Sequence, residues 1–499
     1  MIPILIMIVS FIFYYFTLAP SVIWGDSAKL SILSNKMYLD FMPGSHSLHN
    51  LIGYYWGLLP FNDYAYGQNM LSAVFSSITV GIIYIIVFKL TKSILSSIVS
   101  SLVITVSHTF WLFSVINESY SLLFLILCLT LLEAIIWNEK RYNIHIFMVF
   151  LLLALGICNH YLTTIFLPTF IIYFIIQNPK LLRNYLFYIC VICGSLMGGS
   201  LLLYILFQKN KLPFIHVPLN TLLNEILDYQ LKTFYVGPEK ITSEIIMYPA
   251  YLFYQFPGIG ILIGLHGFYR VFLFNKNIFI LFFTIFLSII LFSLGYQYQR
   301  QFILLSISYI IFSIWIGIGF TYSINLIKLV FNIRYIHYCI VILLFVTPIF
   351  LYYSIPSILS IYNYSPINIR TIPYRDNIKF YYLPDKSQNY EALKYGSDIF
   401  NIVDKHSIII GDFTVLMVLE YLQTFENMGR GVELKYVDSN SWTSKRIVQL
   451  IENGKNVYIC DIDDYRGMYD IENLNLLYKF MNLGPIYKIE PLNSNVELN

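Results

Sequence analysis

The sequence predicts a multi-pass α-helical membrane protein that ends in a small α/β domain, and three observations carry the prediction. Of 499 residues, 58% are hydrophobic and only 12% charged, where a water-soluble domain carries about 25% charge. Tyr and Phe number 43 and 40, an abundance suited to the aromatic belts of membrane proteins. The charge is uneven: 27 Asp, Glu, Lys and Arg fall in residues 1–360 and 32 in residues 361–499. The first part reads as membrane and the last as a water-soluble domain. A net charge of +3 is too small to imply a polyanionic partner such as nucleic acid.

Apolar runs of about 15–23 residues recur along the first part, and only helices satisfy their backbone in lipid. Eleven are predicted, near 3–20, 70–88, 94–114, 120–137, 145–158, 161–176, 185–207, 247–265, 277–295, 302–325 and 336–355. The first lacks the basic start and small-residue cleavage site of a signal peptide and is read as a helix. Alternate short loops carry Lys89 and Lys92, Lys140 and Arg141, Lys180 and Arg183, Arg270 and Lys276, and Lys328 and Arg334, against one acidic residue, Glu139. By the positive-inside rule these loops face the cytoplasm. The N-terminus is then cytoplasmic, and the loops 21–69 and 208–246 and the tail lie outside.

The tail follows a Pro- and Tyr-rich linker, 356–390. Ser407–Gly411, Val432–Val437 and Val457–Cys460 read as strands, and Val415–Gln423 and Ser444–Glu452 as helices between them. Strand–helix alternation predicts a small α/β domain, 391–499, with a parallel sheet. It carries no glycine-rich nucleotide motif. Asp461, Asp463 and Asp464 after the third strand read as a solvated acidic loop rather than a metal site. The six cysteines make no disulfide framework in a chain this long, and Cys190 and Cys193 read as packing within a helix.

This orientation gathers the polar residues on one face. Asp26, His46, His49, Asp63, Glu118, Asn159, His160 and Arg300 all fall at outer helix ends or in outer loops, which points to a site at the outer membrane surface. Asp26, in Trp24-Gly25-Asp26-Ser27, has two readings: a carboxylate at the membrane surface serving as a general base, or a helix N-cap. His46 and His49, three apart, share a helix face; a phosphate or hydroxyl contact is favoured over zinc, since no third ligand is evident. Glu118 and the pair Asn159-His160 sit in tight outer turns. Arg300 is the lone basic residue on a short outer loop and is either a phosphate ligand or an interfacial anchor. Glu133 reads as a side chain reaching back to the cytoplasmic surface.

Gly25-Asp26-Ser27, His49-Asn50-Leu51-Ile52-Gly53, Leu59-Pro60, Ser107-His108-Thr109-Phe110-Trp111, Glu118-Ser119-Tyr120-Ser121-Leu122 and Asn159-His160 together resemble the DUF2723 proteins. That family is counted among the GT-C glycosyltransferases and includes a protein O-mannosyltransferase. The match is best over the first 165 residues. Tyr382-Leu383-Pro384-Asp385, Gly411-Asp412 and Tyr421-Leu422-Gln423 fit the α/β tail of prokaryotic members. Lys29 stands where many relatives are acidic, and His46-Ser47-Leu48-His49 departs from their proline-containing version.

The resemblance implies a GT-C-like membrane domain over 1–355 and transfer of a sugar, mannose in the named relative, from a polyprenyl-phosphate carrier to an extracytoplasmic protein or glycan. Asp26 would take the acceptor proton, Arg300, His46 and His49 would meet the lipid phosphate, and Glu118, Asn159 and His160 would orient sugar hydroxyls. The stretch 27–58 would lie along the membrane surface. No cofactor beyond the lipid-linked donor and no divalent metal is implied. Two other readings stay open: a lipid-sugar transporter, which would place charge near the bilayer midplane, and a non-catalytic envelope assembly protein acting through its tail.

Overall fold

The computed structural model describes residues 1–42, 44–208, 237–296, 301–331, 335–362, 370–437, 444–462 and 471–492. Eight helices fill the first third: α1 (Ile2–Phe16), α2 (Asp26–Asn35), α3 (Ser47–Trp56), α4 (Tyr64–Thr91), α5 (Ile94–Thr105), α6 (His108–Ser114), α7 (Ser119–Lys140) and α8 (Asn143–Asn159). The bundle is completed by Phe166–Gln177, Tyr185–Gly198, Ser200–Gln208, Pro238–Gln255, Ile259–Phe274, Lys276–Gly295, Ser306–Phe331 and Ile336–Ile361.

Every predicted apolar run has a helical counterpart. Among the described residues, five helices are each long and apolar enough to cross a membrane: α4, α7, Lys276–Gly295, Ser306–Leu326 and Ile336–Ile361. Three further runs are broken, by 70° between α5 and α6, by 55° between Tyr185–Gly198 and Ser200–Gln208, and by 109° between Pro238–Gln255 and Ile259–Phe274. The runs at 94–114, 185–207 and 247–265 are therefore each built from two helices rather than one. The sharpest break falls at Phe256-Pro257-Gly258, where proline lacks an N–H and Gly258 takes φ +69°. Helices α1, α8 and Tyr161–Gln177 are shorter. Leu186, Ile189, Ile192 and Leu196 are among the large apolar side chains left exposed, as lipid-facing residues are. The protein is an integral membrane protein.

The broken pair α5–α6 is locked by polar side chains. Helix α6 starts again at His108, so its first amides have no helical acceptor. The His108 N–H donates to Tyr352 Oη at 3.0 Å and the Thr109 N–H to Gln255 Oε1 at 2.9 Å, while Gln255 Nε2 donates to Thr109 Oγ1 at 2.8 Å. Elsewhere helices meet through small residues. A Cβ on Gly267 would stand 1.8 Å from Trp315 O, and one on Gly319 1.9 Å from Ile263 O, so glycine alone permits this backbone contact. The six cysteines are free, with Cys193 exposed. Glu133 meets His145 Nδ1 at 2.7 Å.

The tail contains five strands: β1 (Ile408–Gly411), β2 (Glu433–Tyr436), β3 (Val457–Ile459), β4 (Tyr478–Asn482) and β5 (Tyr487–Pro491). Their order is β2-β1-β3-β5-β4. β1 pairs in parallel with β2 and β3, and Ile409 lies opposite Leu434 and Tyr458. β5 runs antiparallel to both β3 and β4. The predicted parallel sheet is thus half of a mixed one: the β4–β5 hairpin, turning through Gly484 at φ +96°, was not anticipated. Ile336–Ile361 also runs past the expected linker start at 356, and that linker holds a further helix, Asn377–Tyr382.

Tail and membrane domain share one core. Val22, Trp24, Ala28, Ile32 and Ala65 are buried with Tyr395, Val415, Leu416, Leu419 and Tyr421 of the tail. Trp24 and Tyr395 lie 5.1 Å apart between ring centroids, and Tyr64 stacks on Phe425 at 4.5 Å. The Ala65 N–H donates to Tyr421 Oη at 3.0 Å, the Lys386 N–H to Thr17 O at 3.0 Å, and Tyr254 Oη to Tyr382 O at 2.8 Å. The tail is seated on α2, the loop before it and the start of α4.

Candidate functional site

Where the tail meets the bundle lies a cleft of about 290 Å³. Five segments far apart in sequence line it: Ile23–Asp26, residues from Leu112 to Tyr120, Phe302 and Ile303, the linker residues Arg370 to Tyr381, and Asp412–Thr414.

Asp26 is presented by a turn that requires glycine. Gly25 caps α2 at φ +69°, a conformation that costs a residue with a side chain, and its N–H donates to Thr414 O at 3.3 Å. Asp26 is consequently the first helical residue and not the cap. Its side chain is exposed to the cleft and makes no hydrogen bond or ion pair among the described residues.

Glu118 reaches the same cleft from the turn between α6 and α7, where it occupies the N-cap position without a side-chain capping bond. One buried amide ties this turn to the Asp26 loop. Asn69 Oδ1 accepts the Asn117 N–H at 2.7 Å, and its Nδ2 donates to Ala19 O at 3.0 Å and Ser21 O at 3.1 Å. Asn117 Nδ2 in turn donates to Ser31 Oγ on α2 at 3.0 Å. The two acidic side chains are thus held on one framework.

The cleft also holds two cations that the sequence reading passed over as linker. Arg370 pairs with Asp412 and lies 3.4 Å from Asp461. The Asp412 carboxylate also caps the helix Phe413–Phe425 through the Thr414 N–H at 2.7 Å. Arg375 is held by Asn377 Oδ1 at 2.7 Å and Arg370 O at 3.2 Å, with its guanidinium 5.4 Å from the Phe380 ring and 5.5 Å from the Tyr381 ring. Two arginines just beyond the last apolar run were the available signal. Arg300, Asp463 and Asp464 lie outside the described residues.

The histidines are not in this cleft. His46, Asn159 and His160 line a separate crevice of about 10 Å³, room for about one water. Tyr120 stands between the two: it lines the cleft and packs on the His160 ring at 5.0 Å. His49 lines neither hollow and is fully buried, with both ring nitrogens unpartnered. Burial pushes His49 and His160 down to about 3, each further lowered by His46. Burial lowers His46 as well, against the opposing pull of the Asn159 carbonyl and Asp26. Burial thus disfavours the charged form of His46 and His49, the form that suits a phosphate contact.

A polytopic bundle with a carboxylate-bearing loop after α1, under an α/β cap, is the fold that carries this cleft. The whole chain superposes on ArnT from Cupriavidus metallidurans bound to undecaprenyl phosphate, with TM-score 0.58, 10% identity, and coverage of 99% of this chain and 98% of that one. The same protein in the apo state gives TM-score 0.57 at 11% identity, covering 97% of each. Residues 26–183 match the family model described as the protein O-mannosyl-transferase TMEM260 N-terminal domain. That span begins at Asp26 and contains Glu118, Asn159 and His160. The chain is protein O-mannosyltransferase-like over that span and shares the ArnT fold along its whole length.

Proposed function

We propose that the protein transfers a sugar, mannose by the family match, from a polyprenyl-phosphate carrier to a hydroxyl of an extracytoplasmic protein or glycan. The observation that carries this reading is the Asp26 carboxylate, without a partner among the described residues and open to the cleft that Arg370 and Arg375 also line. Asp26 accepts the acceptor's hydroxyl proton. The freed oxygen forms its bond to the anomeric carbon as the carbon–oxygen bond to phosphate breaks. The lipid phosphate departs with the electron pair, through an oxocarbenium-like transition state. Arg375 and Arg370 stabilise the departing charge, and Glu118 orients the sugar. The lipid carrier of the structural relative supports this donor class.

The tail and the cleft face the extracytoplasmic side and the N-terminus the cytoplasm, as the loop charges require. Carboxylate and cations gathered at one end of the bundle favour transfer over transport, which calls for charge near the midplane.

The test is a deletion strain complemented with wild type or Asp26→Asn, its surface glycans and glycoproteins read by mass spectrometry. One hexose-sized mass is expected to vanish and to return only with wild type; Asp26→Asn should lose at least about 100-fold in transfer while still inserting. Full restoration by Asp26→Asn would overturn the base assignment. The scheme employs no resident metal, so transfer by purified protein should persist in excess EDTA, and its loss would reassign the activation of the phosphate.

A further inference from the structure

The crevice beside the cleft holds two histidines whose proton positions are set by their neighbours. His46 Nδ1 lies 2.8 Å from Asn159 O. A carbonyl only accepts, so this nitrogen carries the hydrogen and Nε2 is a bare acceptor. The Leu162 N–H points at His160 Nδ1 at 3.2 Å. An amide N–H only donates, so this nitrogen is bare and the His160 hydrogen sits on Nε2. The rings lie 5.0 Å apart between centroids. The pair therefore offers one acceptor and one donor, the complement of a hydroxyl group. A phosphate oxygen, which only accepts, would be repelled by His46 Nε2. Asn159 Oδ1, on a side chain 1% exposed, is a further acceptor without a partner.

Position links this crevice to the chemistry. Lys29, one turn beyond Asp26 on α2, donates to Gly44 O at 3.2 Å, and Gly44 lines the crevice. On its other side an apolar groove of about 280 Å³ shares Ile157 and Leu202 with it. A polar pocket for one oxygen, continuous with an apolar groove, suits the substrate that carries a lipid chain.

We propose that His46 and His160 read one uncharged hydroxyl of the lipid-linked sugar, His46 Nε2 accepting its proton and His160 Nε2–H donating to its oxygen. This deepens the transferase reading and rests on it.

The test uses purified full-length protein with polyprenyl-phosphate mannose and its monodeoxy analogues. Wild type should lose about tenfold or more in transfer with one deoxy donor. His160→Phe should be slower with mannose yet no longer distinguish that deoxy donor from its parent. A variant that still discriminates as wild type does, or a wild type indifferent to every deoxy donor, would overturn the proposal. ¹⁵N-histidine NMR of the wild type needs no variant: Nδ1-protonated His46 and Nε2-protonated His160 are expected between pH 6 and 8, and either reversed tautomer or an imidazolium would overturn it. Absence of wild-type transfer from any polyprenyl-phosphate hexose would instead count against the parent reading, with the NMR result still deciding the crevice.

Discussion

Lys386 is 2% exposed, a burial that lysine accepts only with partners. Its ammonium donates to Phe380 O at 2.9 Å and to Leu383 O, and lies 5.2 Å from the Phe380 ring. It thereby holds the end of the short helix that brings Phe380 and Tyr381 to the cleft. Burial pushes the amine down to about 7, against the opposing pull of Glu391 and Asp385, with His108 also near it. An unfolded lysine titrates near 10.4. Between pH 7 and 10 the unfolded chain therefore binds more protons than the folded one, and stability rises with pH through that window. Thermal unfolding of detergent-solubilised protein should show this rise, and Lys386→Met should flatten it. An unchanged slope would mean the ammonium is solvated. Asp26 was legible at this scale, because an acid next to glycine at a helix start is visible in the chain. Whether it capped the helix was not: that depended on Gly25 taking the cap.

The most informative element is the break between α5 and α6. The sequence reads as one apolar run, with no proline to mark the bend, and predicts a single helix over 94–114. What permits the break is a pair of acceptors supplied by distant helices, Tyr352 and Gln255. Gln255→Leu would leave the Thr109 amide unsatisfied within the bundle, at a cost of about 1–3 kcal/mol. A lowered melting temperature, with partial rescue by Gln255→Glu, is the expected result; a Leu variant as stable as wild type would show that Thr109 finds another acceptor. The Phe256-Pro257-Gly258 break, by contrast, is written in the chain, although hydropathy alone draws the helix through it. The β4–β5 hairpin was hidden for another reason. Tyr478–Asn482 and Tyr487–Pro491 each carry Lys or Glu, so their alternation is weak, although Gly484-Pro485 marks the turn.

At the scale of the molecule, the tail completes the loop that carries Asp26. Trp24 is buried against Tyr395, and the cap residue Gly25 donates to Thr414. Removing the Trp24 ring would leave a cavity in the joint core, at a cost of about 3–5 kcal/mol. Trp24→Ala should loosen the tail, seen as faster proteolysis near residues 383–390, and should lower transfer although it touches no reacting atom. Proteolysis and transfer both unchanged would mean that the docking does not depend on this contact. An assembly role confined to the tail fits poorly with a tail whose core takes in Val22, Trp24, Ala28, Ile32 and Ala65 of the membrane domain.

The sequence by itself determined the membrane class, the run of apolar helices, the α/β order of the tail and the face on which polar residues gather. These follow from local composition and periodicity, since lipid and backbone hydrogen bonding act on each segment separately. Only the tertiary structure decided which of those polar residues meet. It put Asp26 and Glu118 in one cleft with Arg370 and Arg375, moved His46, Asn159 and His160 to a crevice behind Tyr120, and buried His49 apart from both. Residues that share a face in sequence are sorted by packing between elements, and a side chain's charge state follows from the burial that packing imposes.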